Sequence, residues 1–293
     1  VVQFHDFEGK ILSSSLSELG EGPSYEASTD TLWWFDILGR ALHELHIASN
    51  RHSLHRLPFM ASVVAPIDGD RQVIGTEKGV FIRNRATGEL SLHCELEPER
   101  PGNRSNDGRV HPSGGLWIGT MSKSGESGAG KIYHVAAGTV TPLFDGISIP
   151  NSICFSPDGS LGYFVDTKVN RMMRVSLDPA TGLPAGEAEV FIDQAGEPGG
   201  IDGSICDGAG QIWNARWGEG AVDHYSADGS HLARYCVPAR QTTCPAFIGN
   251  GRIAVTSARE GMDEAAVAAD PLAGSLFALT VPISAFEEPS YRP

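Results

Sequence analysis

The sequence of 293 residues is poor in basic groups: 22 Lys and Arg stand against 36 Asp and Glu, a formal charge of −14. No run of Lys or Arg offsets that balance locally, so neither nucleic acid nor an anionic membrane is an expected partner. Five cysteines, Cys94, Cys154, Cys206, Cys236 and Cys244, form no CxxC pair and are odd in number. That count argues against a disulfide framework and a structural zinc site, and predicts a reducing, cytoplasmic setting. No stretch of ~18 apolar residues occurs and no basic segment leads into an apolar run near the start, so neither a membrane span nor a signal peptide is predicted. Amphipathic helices of useful length are missing, apart from a weak pattern at Asp263 to Ala269. The GxSxG elbow of the α/β serine hydrolases is absent too. "GESGAGKI", Gly125 to Ile132, imitates a phosphate-binding loop, but Ile132 stands where Ser or Thr would meet magnesium and the segment runs on as a strand.

Glycine and proline, by contrast, are abundant, at 35 and 18 residues, which predicts many turns. Short β-type runs, each preceded by turn residues, recur at Leu32–Phe35, Gln72–Ile74, Leu116–Ile118, Tyr163–Val165, Ile212–Trp213 and Ile253–Val255. Their spacing of about 40 to 50 residues is the period of four-stranded propeller blades. The first unit reads strand by strand as "GPSYEA", "TLWWFDI", "ALHELHIA" and "HSLHRLP", with alternation in the third marking one buried face. The expected fold is therefore all-β: one domain over 1–293, a six-bladed β-propeller with four-stranded antiparallel blades. Two stacked β-sandwiches are the rival, which the periodicity disfavours. The N-terminal "VVQFHDFEGKIL" is expected to lend a strand to the last blade and close the ring. A monomer or weak homo-oligomer is expected. His43, His46, His52 and His55 of the first unit are expected at solvated outer positions, since His43 and His46 face opposite ways on a strand.

When the units are aligned on the turn that follows each innermost strand, Tyr25, Val110, Phe155 and Cys206 coincide. Four residues before them lie Glu21, Asn106, Asn151 and Asp202, all with a side-chain oxygen. Period-two alternation puts residues four apart on one face, so these four are expected to converge on the axis. The second and sixth units give Ala61 and Cys244 at that place. Converging carboxylates repel unless protons or a cation sit between them, and a cation is the simpler account. Oxygen-only donors suit Ca²⁺, Mg²⁺ or Mn²⁺ better than a structural zinc, without excluding catalytic zinc. One divalent ion on the axis, Ca²⁺ first among these, is the expected cofactor, with an open position such as a Lewis-acid catalyst needs.

"LGEGPSY", "NRSNDGRVHPSGGLWIGTM", "PNSICFSPDGSLGYFVDT" and "IDGSICDGAGQIW" resemble the signature segments of the senescence marker protein, gluconolactonase and regucalcin family, in the family's order and from about Glu18 to Pro282. The resemblance implies a six-bladed propeller with one axial divalent metal that hydrolyses small lactones, usually of sugar acids. Carried over residue by residue, it makes Glu21, Asn151 and Asp202 the metal ligands, and Arg104 and Asn106 the substrate-contacting pair. Asp202 is also the expected acceptor of the attacking water's proton. Blade geometry adds the stretch from Met121 to Gly130, with Met121 and Lys123, as a wall of the substrate site, and Thr167–Asn170, Asn214–Gly218 and Arg259–Asp263 as further walls. Two departures stand out: Lys123 and Ser124 replace acidic residues that touch substrate in some animal members, and Tyr25 replaces the usual Trp. The sequence leaves two rivals to a lactonase: a calcium-binding protein without catalysis, which the same oxygen ligands would serve, and a protein-interaction scaffold, which gives no reason for converging carboxylates.

Overall fold

The apolar runs of the repeat are the second strands of six blades. The computed structural model describes residues 1–293, and in it each blade is an antiparallel meander of four strands laid outward from the axis. The innermost strands are Gly20–Glu26, Ala61–Pro66, Asn103–Val110, Pro150–Phe155, Gly200–Cys206 and Thr242–Phe247, for blades one to six. Each lies against the next, and the sixth against the first, so the ring is closed.

Six hydrophobic cores, one between each pair of adjacent blades, hold the ring together. A blade with a core on both sides must bury both faces of its second strand, which is why those strands read as continuous apolar runs rather than alternating ones. In "TLWWFD", Leu32 and Trp34 enter the core shared with blade six, while Trp33 and Phe35 enter the core shared with blade two. These four side chains are 0 to 4% exposed. Burying an aromatic or leucine side chain contributes ~1.5–3 kcal/mol, so each second strand is a main anchor of its blade.

The N-terminal segment closes the sixth blade as expected: Gly9–Ser13 pairs antiparallel with Leu276–Thr280. A second contribution was not foreseen. Gln3–His5 adds a fifth strand, parallel, to the outer edge of blade five, and three residues are too few to show a period. The short helix falls at Glu264–Ala269, with Asp263 as its N-cap: Oδ1 accepts the N–H of Ala266 at 2.8 Å. The histidine expectation needs correction at His43. Its ring is 3% exposed, stacks on Trp34 and shares a 2.9 Å hydrogen bond with the exposed His52, because the apolar face of an imidazole packs well on indole.

A carboxylate fixes the loop that leads into several inner strands. Asp36 accepts the N–H groups of Glu18 and Leu19, Glu77 that of Met60, Asp166 those of Ser148 and Ile149, and Asp270 that of Arg240. Backbone donors at the rim are thereby satisfied and the starts of these four inner strands are held in place.

Removing residues 1–13 opens the sixth blade and takes Leu12 out of the core between blades six and one. The expected loss is roughly 10 °C or more in Tm. Removing residues 1–6 strips only the exposed edge strand and should cost less than half as much; thermal unfolding of the two truncations measures both.

Candidate active site

At the level of the expected site every inner strand carries one extra residue relative to its partner. The register shifts fall at Glu21–Ser24, Ala61–Val63, Ser105–Gly108, Asn151–Cys154, Ile201–Ser204 and Thr242–Pro245. Such bulges re-aim side chains and are common beside active sites. They also correct the reasoning from strict alternation. Val110, Phe155 and Cys206 point into cores between blades, and Tyr25 packs against another, whereas Glu21, Asn106, Asn151 and Asp202 turn to the axis. The four do come together, but because a bulge separates them from those apolar partners. Ala61 does not ring the site: it lies in the core between blades one and two, and the adjacent Ser62 hydroxyl meets that of Ser105 at 2.7 Å. Cys244 borders a small cavity on the axis.

The expected residues form one connected group. Arg104 donates through Nη1 to Asn106 Oδ1 at 2.8 Å and to the Ser105 carbonyl at 2.9 Å. Asn106 Nδ2 donates to Asn151 Oδ1 and to the Pro150 carbonyl, both at 2.9 Å. Asn151 Nδ2 donates to Thr167 Oγ1 at 2.9 Å, and that hydroxyl donates to the Ile201 carbonyl beside Asp202 at 2.7 Å. Blades three, four and five are thus tied by side chains where no backbone ladder joins them. Each of Glu21, Arg104, Asn106, Asn151 and Asp202 is less than 9% exposed.

Glu21 and Asp202 carry the electrostatic tension. The Glu21 carboxyl lies within hydrogen-bond reach of Asp202, and Gly22 N–H donates to its Oε2 at 2.9 Å. Burial pushes the Glu21 carboxyl well above the usual range, and the charge of Asp107 adds to it. Asp202 is driven up by burial and then by Glu21, Asp107 and Glu260. Two buried carboxyls in contact fit a divalent cation, since the ion replaces the protons that otherwise hold them together. The donor set is carboxylate and amide oxygen only; no group of three or more His, Cys, Asp or Glu side chains is placed to hold a metal.

Around the mouth, Met121 stands opposite Arg104 in the strand pairing. Lys123 is committed elsewhere: its Nζ lies 2.5 Å from Glu77 and 2.9 Å from the Pro101 carbonyl. Ser124 is hydrogen-bonded to Ser122 at 2.9 Å. Lys168 reaches across from blade four to the Gly125 carbonyl and Ser127 hydroxyl, at 2.8 and 3.0 Å, pinning the 122–130 loop. Trp217 packs against the apolar cluster that includes Leu19 and Ala258.

Residues 19–259 match the model of the SMP-30/gluconolactonase/LRE-like region. The chain belongs to this family. A Rhizobium meliloti relative named "Putative sugar lactone lactonase" is 54% identical, covering 98% of each chain. L-arabinolactonase of Azospirillum brasilense is 34% identical over 92% of this chain and 91% of its own. Among solved structures, a calcium-binding protein, regucalcin, from Agrobacterium tumefaciens is 59% identical, with a TM-score of 0.98 and full coverage of both chains. Family membership agrees with the six-bladed ring found here, and the matched region ends before the C-terminal tail.

The raised carboxyls set a pH dependence. A carboxyl whose folded pKa lies above its unfolded value keeps a proton that the unfolded chain has released, so stability falls as pH rises between the two. For Glu21 the window runs from about 4.5 to about 8. Metal-stripped protein should lose Tm steadily across it, by ~2 °C per pH unit for each proton involved. Added Ca²⁺ should abolish the slope; melting curves from pH 5 to 8 with chelator and with Ca²⁺ provide the check.

Proposed function

We propose that the protein is a divalent-metal-dependent lactonase that opens a sugar-acid lactone by attack of water. The observation that carries this reading is the buried pair Glu21 and Asp202, in contact on the axis beside the amides of Asn106 and Asn151. Glu21, Asn151 and Asp202 would hold the ion, Ca²⁺ foremost, with Mg²⁺, Mn²⁺ and Zn²⁺ as alternatives. Such an ion supplies Lewis acidity that polarises the lactone carbonyl and stabilises the developing oxyanion.

The protein groups have separate tasks. Arg104 and Asn106 orient the lactone: Arg104 spends one nitrogen on Asn106 and Ser105, leaving the rest of its fork for ring or hydroxyl oxygens. Asp202 takes the proton of the attacking water as that oxygen bonds to the carbonyl carbon. The ring C–O bond then breaks as Asp202 returns that proton to the departing ring oxygen, and an open-chain hydroxy acid leaves with the carboxylate restored. Met121 and the stem of Lys123 form the wall towards the 122–130 loop. The lactonase relatives support the reaction class.

A second reading, calcium binding without turnover, is favoured by the 59% identical neighbour described as a calcium-binding protein. Turnover separates the two. In pH-stat assays on a panel of aldonolactones, metal-stripped protein should be inactive and regain activity on addition of a divalent ion; silence across the panel with metal bound would favour the second reading. Asp202→Asn should lower kcat by about 10²–10⁴-fold at saturating metal. A loss that merely tracks metal occupancy, measured by calorimetry, would make Asp202 a ligand alone.

A further inference from the structure

Deeper on the axis lies a second set of buried polar groups that the reaction above does not use. The inner strand of blade three continues past Asn106 with Asp107 and Arg109. Asp107 Oδ2 accepts the N–H of Ile153 at 2.8 Å, and Arg109 Nε donates to the carbonyl of the same residue at 3.0 Å. Two side chains of blade three therefore grip both backbone polar groups of Ile153, two residues beyond Asn151. Arg109 Nη2 also donates to the Ser204 carbonyl at 3.2 Å, two residues beyond Asp202. Its Nη1 is paired with Glu288 of the C-terminal tail.

The grip falls where the backbone needs it. Ser152, between Asn151 and Ile153, has a φ of 55°, in the left-handed region that non-glycine residues occupy only when their surroundings impose it. Its hydroxyl donates to the Asp202 carbonyl and meets Ser204 Oγ at 2.8 Å, so the bulges of blades four and five are held as one unit. Arg109 spans that unit from below. A buried guanidinium keeps its place only if it is neutralised and hydrogen-bonded. Glu288 supplies the matching charge from the C-terminal tail, which is anchored further out by Tyr291, 1% exposed in the core between blades two and three and bonded to His93 at 2.9 Å.

We infer that Glu288 and Arg109 are positioning residues for the axial site: the tail, acting through Arg109, fixes Asn151 relative to Asp202 and so sets the affinity for a divalent cation. This rests on the metal site of the proposed function. It also gives the tail a role on the face opposite the mouth, with no contact to substrate. The first link, Glu288 to Arg109, holds the guanidinium; the second, Arg109 to Ile153 and Ser204, holds the two bulges.

Glu288→Gln, Arg109→Lys and the neighbouring Glu287→Gln test it, with calorimetric Ca²⁺ and Mn²⁺ affinities as the main readout beside Tm and kinetics. Glu288→Gln should weaken both ions by about 5- to 50-fold, with kcat at saturating metal within about 3-fold of the parent. Arg109→Lys, which keeps the charge but loses the fork, should weaken them at least as much, while Glu287→Gln stays within 2-fold. Should Glu288→Gln not fold, Glu288→Asp, one methylene shorter with the charge kept, carries the same expectation at a smaller fold-change. A fall in Tm with metal affinity unchanged would make the strut purely structural and overturn the inference, as would affinity and Tm both unchanged. Parent protein that binds neither ion would overturn the metal site itself, and this inference with it; parent binding with unaltered variants sinks the inference alone.

Discussion

Three carboxylates, Glu21, Asp107 and Asp202, are buried on one axis, and each is less than 9% exposed. Taking a carboxylate out of water costs several kcal/mol even after relaxation, and like charges in such a place raise one another's pKa. Asp107 is the better compensated of the three: two backbone N–H groups and the charge of Arg109 oppose its burial, which still holds it at about 6. Glu21 has one backbone N–H and the more distant charge of Arg104, and Asp202 has less. Compensation therefore thins towards the mouth, and the pair left short of positive charge is the pair best placed to take it from a bound ion.

A soft fold would relieve that tension by letting the carboxyls drift apart. Here the inner strands cannot drift, because each second strand is locked between two cores and each blade is pressed from both sides. Close packing resists small displacements. What the cores leave open is the orientation of side chains at the axis, where neighbouring blades share no backbone ladder. That gap is filled by side chains of blade three. Arg104, Asn106, Asp107 and Arg109 all lie on one strand and reach, in order, into the mouth, blade four and blade five.

Much of this was legible in the sequence, and for a physical reason: second strands buried on both faces leave apolar runs, and a blade every 40 to 50 residues leaves a period. The convergence of Glu21, Asn106, Asn151 and Asp202 was legible as well, although by an alternation that the bulges break. An extra residue in an inner strand has no composition of its own, so Tyr25, Val110, Phe155 and Cys206 were read on the wrong face. Equally hidden were contacts made by groups far apart in the chain. Nothing around Glu288 announces that it meets Arg109, 179 residues earlier, and nothing in "SKSGES" shows that Lys123 is held by Glu77.

That last pairing bears on what the mouth recognises. Lys123 stands where some animal members of the family carry an acidic group, and an unpaired ammonium there would invert the local charge. Glu77 cancels it: Oε1 of the same carboxylate already accepts the Met60 N–H at 2.9 Å, while Oε2 takes the ammonium. The substitution therefore exchanges a hydrogen-bond acceptor for a neutral, internally satisfied pair rather than adding a cation to the wall. Arg104 is then the one guanidinium beside the axial carboxyls at the mouth, buried and already braced through Asn106. A fork held in that way is matched to oxygen acceptors at fixed positions, such as the ring and hydroxyl oxygens of the proposed lactone would present. Under the proposed function, selectivity for one sugar over another would fall to the wall beyond Met121, whose loop is pinned by Lys168 from the neighbouring blade.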